Sequence, residues 1–238
     1  MKRFNCLKII VLAVVITACL SCAWPLNRGN GIMISSEKPV SAFETIEVNG
    51  MAVVNYHKSQ EYRAVVTVDS NLDKYVKVHT EGNVLKIGTE KGGNYYFTQY
   101  TVDVYAPTMD GISISGSVRF NGIDKITAST FRSNISGSGK ITGTFECDNF
   151  NSKISGSGDF TLTGNCSNLD ISVSGSGNFS GNEFETKNAA ILINGSGKMD
   201  IWVLEYLNAN ISGFGRVRYR GDPKIDYTVS GSGRLERR

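Results

Sequence analysis

Apolar and polar residues alternate with a period of two along most of this chain, and no stretch keeps a helical period. Phe43-Glu44-Thr45-Ile46-Glu47-Val48 alternates and stops at Asn49-Gly50, which reads as a turn. Ala52 to Tyr56 and Tyr62 to Val68 are β-branched and aromatic, as strands prefer. Val76-Lys77-Val78 and Leu85-Lys86-Ile87 predict short strands around a turn at Glu81-Gly82-Asn83. Tyr100 to Tyr105 alternates again and ends at Ala106-Pro107. Leu72-Asp73-Lys74-Tyr75 amounts to a single helical turn at most, so the class is all-β.

From Gly111 onward a phrase takes over: a β-branched residue followed by Ser-Gly-Ser-Gly or a close variant. Its first glycine falls at Gly116, Gly137, Gly156, Gly175, Gly195, Gly213 and Gly231, in steps of 21, 19, 19, 20, 18 and 18. A period near 20 residues marks a solenoid. The leucine-asparagine pattern and helical half of leucine-rich repeats are missing, which leaves a parallel β-helix of 18–21-residue coils. A right-handed coil is favoured; a left-handed one stays open because some apolar positions step by six (Ile135, Ile141, Cys147). Aligning the coils gives apolar columns. One holds Ile114, Ile135, Ile154, Val173, Ile193, Ile211 and Val229; another holds Ile141, Phe160, Phe179, Met199, Val217 and Leu235; Cys147 sits over Cys166. Such columns predict ladders of like side chains about 4.8 Å apart. Within the phrase, alternation puts the isoleucine and glycines inward and the serines outward. Glycine permits positive φ and close backbone approach at the bend.

Four regions follow: a signal sequence at 1–18, a tether at 19–41, a strand-rich N-terminal portion at 42–110, and the repeat at 111–238. Lys2, Arg3 and Lys8 precede the apolar run Ile9 to Ile16, which is too short to span a bilayer. Ile16-Thr17-Ala18-Cys19 has the form of a lipoprotein signal, with Cys19 the expected acylated residue and Cys22 the alternative. A plain cut after Ser21-Cys22-Ala23 also fits. Asn27 to Gly31 and Ser35 to Pro39 have the composition of a spacer.

That cut changes the charge. The chain carries 25 basic and 22 acidic residues, and losing Lys2, Arg3 and Lys8 leaves 22 against 22. A neutral chain is a poor nucleic-acid binder, so no nucleic-acid partner is expected. Of five cysteines only Cys147 and Cys166 lie in the body, which is no disulfide framework; they are expected free and buried, with a bond between them the alternative.

Most local motifs favour geometry over chemistry. Gly139-Lys140 and Gly197-Lys198 lack the upstream glycine and following hydroxyl of a phosphate loop. Gly156-Ser157-Gly158-Asp159 resembles a calcium nonapeptide, but the aspartate position holds Lys140, Asn178, Lys198, Arg216 and Arg234 in other coils, and cations do not ligate calcium. Neither a metal nor a cofactor is expected. A serine nucleophile needs a base, and His57 and His79 both precede the repeat, so no catalytic residue is assigned. Carboxylates such as Glu146, Asp148 and Asp170 suggest stacking (22 residues separate the last two) but form no dense cluster. Tyr95, Tyr96, Phe97 and Tyr100 crowd a turn-rich stretch and read as a binding surface or a cap over the coil end. The arginines from Arg216 to Arg238 read as charges guarding the open strand edge, with a polyanion contact the alternative.

A lipoprotein-type signal, then Phe43-Glu44-Thr45-Ile46-Glu47-Val48-Asn49-Gly50, then Ser-Gly-Ser-Gly coils resemble the "putative auto-transporter adhesin, head GIN domain" family of Gram-negative bacteria, over about Phe43 to Gly233. The resemblance implies a parallel β-helix and an adhesive role, and carries no catalytic residues. No barrel-forming segment accompanies it, so self-transport is not expected. The expected protein is a non-enzymatic, lipid-anchored envelope protein, facing the periplasm or the cell surface. It would display a rigid surface to an extracellular glycan or protein. The alternatives are an envelope scaffold acting as a homo-oligomer and a glycan-binding or glycan-degrading β-helix.

Overall fold

A computed structural model describes residues 26–238. The signal sequence and both candidate acylation residues, Cys19 and Cys22, lie outside the described residues. About 77% of the described residues are strand, wound as a β-solenoid of about 7 turns. Among the described residues there is no α-helix, and the expected helical turn is a 3-10 turn at Asp73–Tyr75.

The repeat region stacks as parallel strands: β9 (Gly111–Gly122), β10 (Ile126–Ile135), β11 (Ser138–Ile154), β12 (Ser157–Val173), β13 (Ser176–Gly213), β14 (Arg216–Arg220), β15 (Lys224–Gly231) and β16 (Arg234–Arg237). The register follows the columns. Ile135 pairs with Ile114 and Ile154, Ile154 with Val173, and Val173 with Ile193. Phe160 pairs with Ile141 and Phe179, and Cys147 with Cys166. These apolar side chains fill the coil, and the phenylalanines interlock across rungs. Phe131 and Phe145 lie 4.8 Å apart between ring centroids, Phe131 and Phe150 5.4 Å, and Phe150 and Phe184 5.7 Å. Such ring pairs add about 1 kcal/mol each beyond the area they bury. Three buried positions of the repeat are polar: Thr186 donates to the Asn188 carbonyl at 2.9 Å, whereas Ser133 and Ser152, paired with each other, have no hydrogen-bond partner for either hydroxyl among the described residues.

The stack begins earlier than the phrase suggests. Asn49-Gly50 is no turn: β3 (Thr45–Lys58) runs straight through it. β3 lies parallel to β9, with Val48 beside Ile114 and Gly50 beside Gly116. Residues 45–56 are therefore the first full rung of the same column system. Gly50 takes φ 102°, open to glycine and strained for other residues, so the strand bends there without reversing.

Between Lys58 and Gly111 the chain leaves the stack to build its end. β6 (Val84–Thr89) and β8 (Tyr100–Ala106) pair in parallel with the outer edge of β3. β5 (Val76–Glu81) turns against β6 through Gly82, and β4 (Arg63–Asp69) lies antiparallel to β8. The segment expected as a tether is part of this cap over residues 26–38. β1 (Leu26–Arg28) pairs with β7 (Asn94–Tyr96), and β2 (Met33–Lys38) lies antiparallel along β4. Backbone pairing outweighs the spacer-like composition of Ser35-Ser36-Glu37-Lys38. The anchoring contacts are specific: Lys38 Nζ donates to Asp73 at 2.8 Å, and the buried Asp69 carboxylate accepts from the amides of Gly31 and Thr98, each at 2.8 Å.

Candidate binding surface

The repeated glycines shape the outer surface as well as the stack. A side chain at Gly137, Gly156, Gly175 or Gly195 would strike the carbonyl oxygen of the first glycine of the preceding phrase. At Gly213 and Gly231 an added Cβ would stand 2.7 and 2.8 Å from that oxygen, still below permissible contact. The second glycine of the phrase has a different reason: a Cβ at Gly139 would press on Ile135 at 2.9 Å and Ile114 at 3.2 Å. Of the two roles expected of glycine, close approach runs through the whole first column. Positive φ is confined to its ends, at Gly50, Gly116, Gly213 and Gly231.

Because every rung bends inward at the same place, shallow channels run along the solenoid axis beside the glycine column. One, of about 490 Å³, follows Ser115, Ser136, Ser155 and Ser174, with Asn49 at its start. On the other side lies a channel of about 690 Å³, along Met51, Ser117, Ser138 and Ser157 and beside Arg119 and Lys140. A third hollow of about 370 Å³ follows Ser176, Ser196 and Phe214, beside Lys198 and Arg216. The hydroxyl of Ser136 donates back to the Ile114 carbonyl at 3.3 Å. Ser117, Ser138, Ser157 and Ser176 make no side-chain hydrogen bond among the described residues and present their hydroxyls to solvent.

The structure divides the aromatic candidates. Phe97 and Tyr100, 4.9 Å apart, form a wall of the second channel. Tyr100 is buried, its hydroxyl donates to the Gly88 carbonyl at 3.0 Å, and burial pushes its phenol well above the ordinary value. Tyr95 packs between Tyr75 and Phe97 over the coil end. Tyr96 faces outward on β7 beneath the Arg28 guanidinium, 5.3 Å from its ring centroid. Only Phe97 of the four combines partial exposure with a place in a channel wall.

The remaining candidates separate from the channels. His57 meets Asp103 at 3.3 Å and stacks on Tyr105, while His79 is exposed on β5; neither lines a channel. Asp148 and Asp170 do not stack, because Asp170 stands beside Asn151 and Ala190. No group of three metal-ligating side chains gathers among the described residues. Cys147 and Cys166 are free; the hydrogen bond between them, together with burial, pushes the Cys147 thiol up, which makes it a weak nucleophile.

Phe214 and the charged column beside it escape a reading of the repeat in isolation. The phrase Ile211-Ser212-Gly213-Phe214 puts an aromatic where the neighbouring coils carry serine, and the structure leaves Phe214 74% exposed. The charged column is the aligned position that argues against calcium, and Phe214 stands two residues before it.

A family model described as "Putative auto-transporter adhesin, head GIN domain" matches residues 42–223. No curated protein matches the chain. Among solved structures, one described as a putative adhesin from Bacteroides fragilis superposes with a TM-score of 0.84 at 20% identity, covering 89% of this chain and 99% of its own. A putative adhesin from Parabacteroides distasonis gives 0.73 at 24% identity, covering 90% and 100%. A protein from the same species described as a putative lipid binding protein gives 0.73 at 23% identity, covering 90% and 100%. At these identities the superpositions establish the shared fold.

Proposed function

Since the chain belongs to the putative auto-transporter adhesin, head GIN domain family, we propose that it is a non-enzymatic binding protein of the cell envelope. It is held to a membrane by a lipid on Cys19, with Cys22 the alternative, and the surface it displays is the glycine corner. The observation that carries this reading is the channel system itself. The same outward hydroxyl recurs on rung after rung, at a spacing of about 4.8 Å, on a backbone fixed by a packed core. A repeated and rigid array suits recognition of an extended ligand, because many weak contacts add without further ordering of the protein. A single reaction centre has no use for such repetition.

The test is binding of the mature protein to arrays of glycans and extracellular matrix proteins, compared with the variant Ser138→Gln/Ser157→Gln/Ser176→Gln. These exposed positions tolerate the longer side chain, which fills the channel. Loss of the bound ligand in the variant is the expected result; undiminished binding would overturn the assignment of the surface. The anchor is tested separately by fatty-acid labelling, which Cys19→Ala should abolish. If only Cys22→Ala abolishes it, the alternative site is the acylated one.

A second reading, an envelope scaffold of associated copies, draws on the C-terminal end of the stack. There Ile225, Val229 and Leu235 pack against the core but stay partly exposed. Light scattering of the mature protein should then show a homo-oligomer that Val229→Lys dissociates.

A further inference from the structure

One column of outward residues, two places beyond the serines of the second channel, is dominated by cations. Arg119 stands beside Lys140, Lys140 beside Asp159, and Asp159 beside Asn178; farther along, Lys198 stands beside Arg216 and Arg216 beside Arg234. Arg234 reaches Glu236 at 3.2 Å, but Arg119, Lys140, Lys198 and Arg216 make no ion pair among the described residues. The one acid, Asp159, is occupied by the Asn178 amide at 2.8 Å. The chain is neutral once residues 1–18 are set aside, so these charges are balanced elsewhere. Glu146 and Glu185 flank Asn165 in another column, and Glu183 stands beside Thr163. On that other face the acids have cations at hand, with Lys125 on Glu146 at 2.6 Å, whereas the cations beside the serine channel stand without acid partners. Farther along the same column, in the third hollow, Phe214 projects into solvent between Ser196 and Lys198 on one side and Arg216 on the other, and the two hollows together make one cationic channel along the column.

We propose that this cationic channel binds an acidic polysaccharide lying along the solenoid axis. Arg119, Lys140, Lys198 and Arg216 meet its carboxylate or sulfate groups, and Phe214 stacks on the apolar face of a sugar ring. The inference rests on the binding reading above and adds the ligand class. Three properties favour a charged sugar chain. The cations form a line about 24 Å long, five rung spacings, which suits a linear polymer better than a flat membrane. An exposed ion pair contributes at most about 1 kcal/mol, so useful affinity needs several acids on one chain. An exposed aromatic beside donors recognises an object with both an apolar face and polar edges.

The experiment measures affinity of the full mature protein for polygalacturonate and dextran sulfate, with dextran, galacturonic acid, duplex DNA and anionic phosphatidylglycerol vesicles as comparisons. At least one acidic polymer should bind, and dextran and the monosaccharide should not; preference between the two polymers identifies the acid. Lys198→Gln/Arg216→Gln should weaken binding about tenfold. Phe214→Ser, which restores the residue found in neighbouring coils and so leaves the fold intact, should weaken it about fivefold. Lys187→Gln removes one exposed cation from the face bearing Glu183 and Glu185 and should change nothing. The proposal is overturned if dextran, DNA or vesicles bind as tightly as the acidic polymers, or if Lys187→Gln costs as much as the channel variants. It also fails if neither acidic polymer binds. In that case channel-dependent binding on the general arrays would leave the adhesive reading standing, and its absence would remove both.

Discussion

Ile46 and Tyr227 belong to one column of the stack, as do Val48 and Val229, yet their surroundings differ. Ile46 and Val48 are 1% and 0% exposed, because β6 covers that half of β3 from outside and β5 follows antiparallel beyond it, as β8 and β4 do for the other half. Tyr227 is 58% exposed, and among the described residues no strand pairs beyond β15. A stack of parallel strands offers unpaired backbone groups at both ends. The N-terminal end is closed by reversing strand direction, which stops further parallel addition. At the C-terminal end β16 carries Arg234 and Arg237 around Leu235, charges of the kind that discourage pairing at an open edge. A single repeated phrase therefore ends in two ways, one costly in sequence and one cheap.

The largest expected effect separates the stack interior from its capped beginning. Gly156→Ala drives a methyl group into the Gly137 carbonyl and should cost about 3 kcal/mol or more. Gly50→Ala meets nothing within 4 Å and bears only the strain of φ 102°, about 1 kcal/mol. Urea denaturation of the two variants decides the matter. Equal losses would mean that backbone conformation governs the whole glycine column and that the close approach between rungs relaxes.

A smaller contrast compares the two ends directly. Val48→Ala should destabilise by about 2 kcal/mol, as a fully enclosed side chain does. Val229→Ala, half-exposed on the outermost rung, should cost about 0.5 kcal/mol. Similar costs would show that the C-terminal end is covered in solution, which association of copies would achieve.

The repeat was legible because stacking makes like residues coincide: Ile114, Ile135, Ile154 and Val173 could be aligned before any coordinate, and the register agrees. The first rung was hidden because 66 residues separate Gly50 from Gly116. The period breaks there, and Asn-Gly is also a strong local turn signal. Yet Val48-Asn49-Gly50 has the shape of Ile114-Ser115-Gly116, and that similarity was the available clue. The cap strand β2 was illegible because Ser35-Ser36-Glu37-Lys38 has partners 26 to 32 residues away that no local pattern announces. The channels arise from the bend of every rung together and have no signature in a single one. Phe214 and the cations beside it become visible only when columns, not phrases, are read.

Acid provides the most delicate separation of the ends, about 1 kcal/mol in size. Burial pushes the Asp69 carboxyl up, but hydrogen bonds from the amides of Gly31, Thr98 and Gln99 outweigh it and hold the group below the usual carboxylate value. Asp200, near the other end, is lowered chiefly by the Arg218 guanidinium, whose Nη2 donates to it at 2.7 Å, against an opposing push from burial. A carboxylate depressed in the folded state contributes stability that is complete above its unfolded value, about pH 4. That contribution is lost as pH falls through the lower folded value. Both ends should therefore weaken below about pH 4, but they should respond differently to salt. The half-buried Asp200–Arg218 ion pair is partly screened, whereas the buried Asp69 is held by neutral amide dipoles and responds little to salt. Protection of the Gly31 and Thr98 amides, taken relative to intrinsic exchange at each pH, should fall on acidification equally at low and high salt, and Asp69→Asn should remove that pH dependence. If salt accelerates exchange at these two amides, an unrecognised cation holds Asp69 and the cap is closed by charge as the other end is.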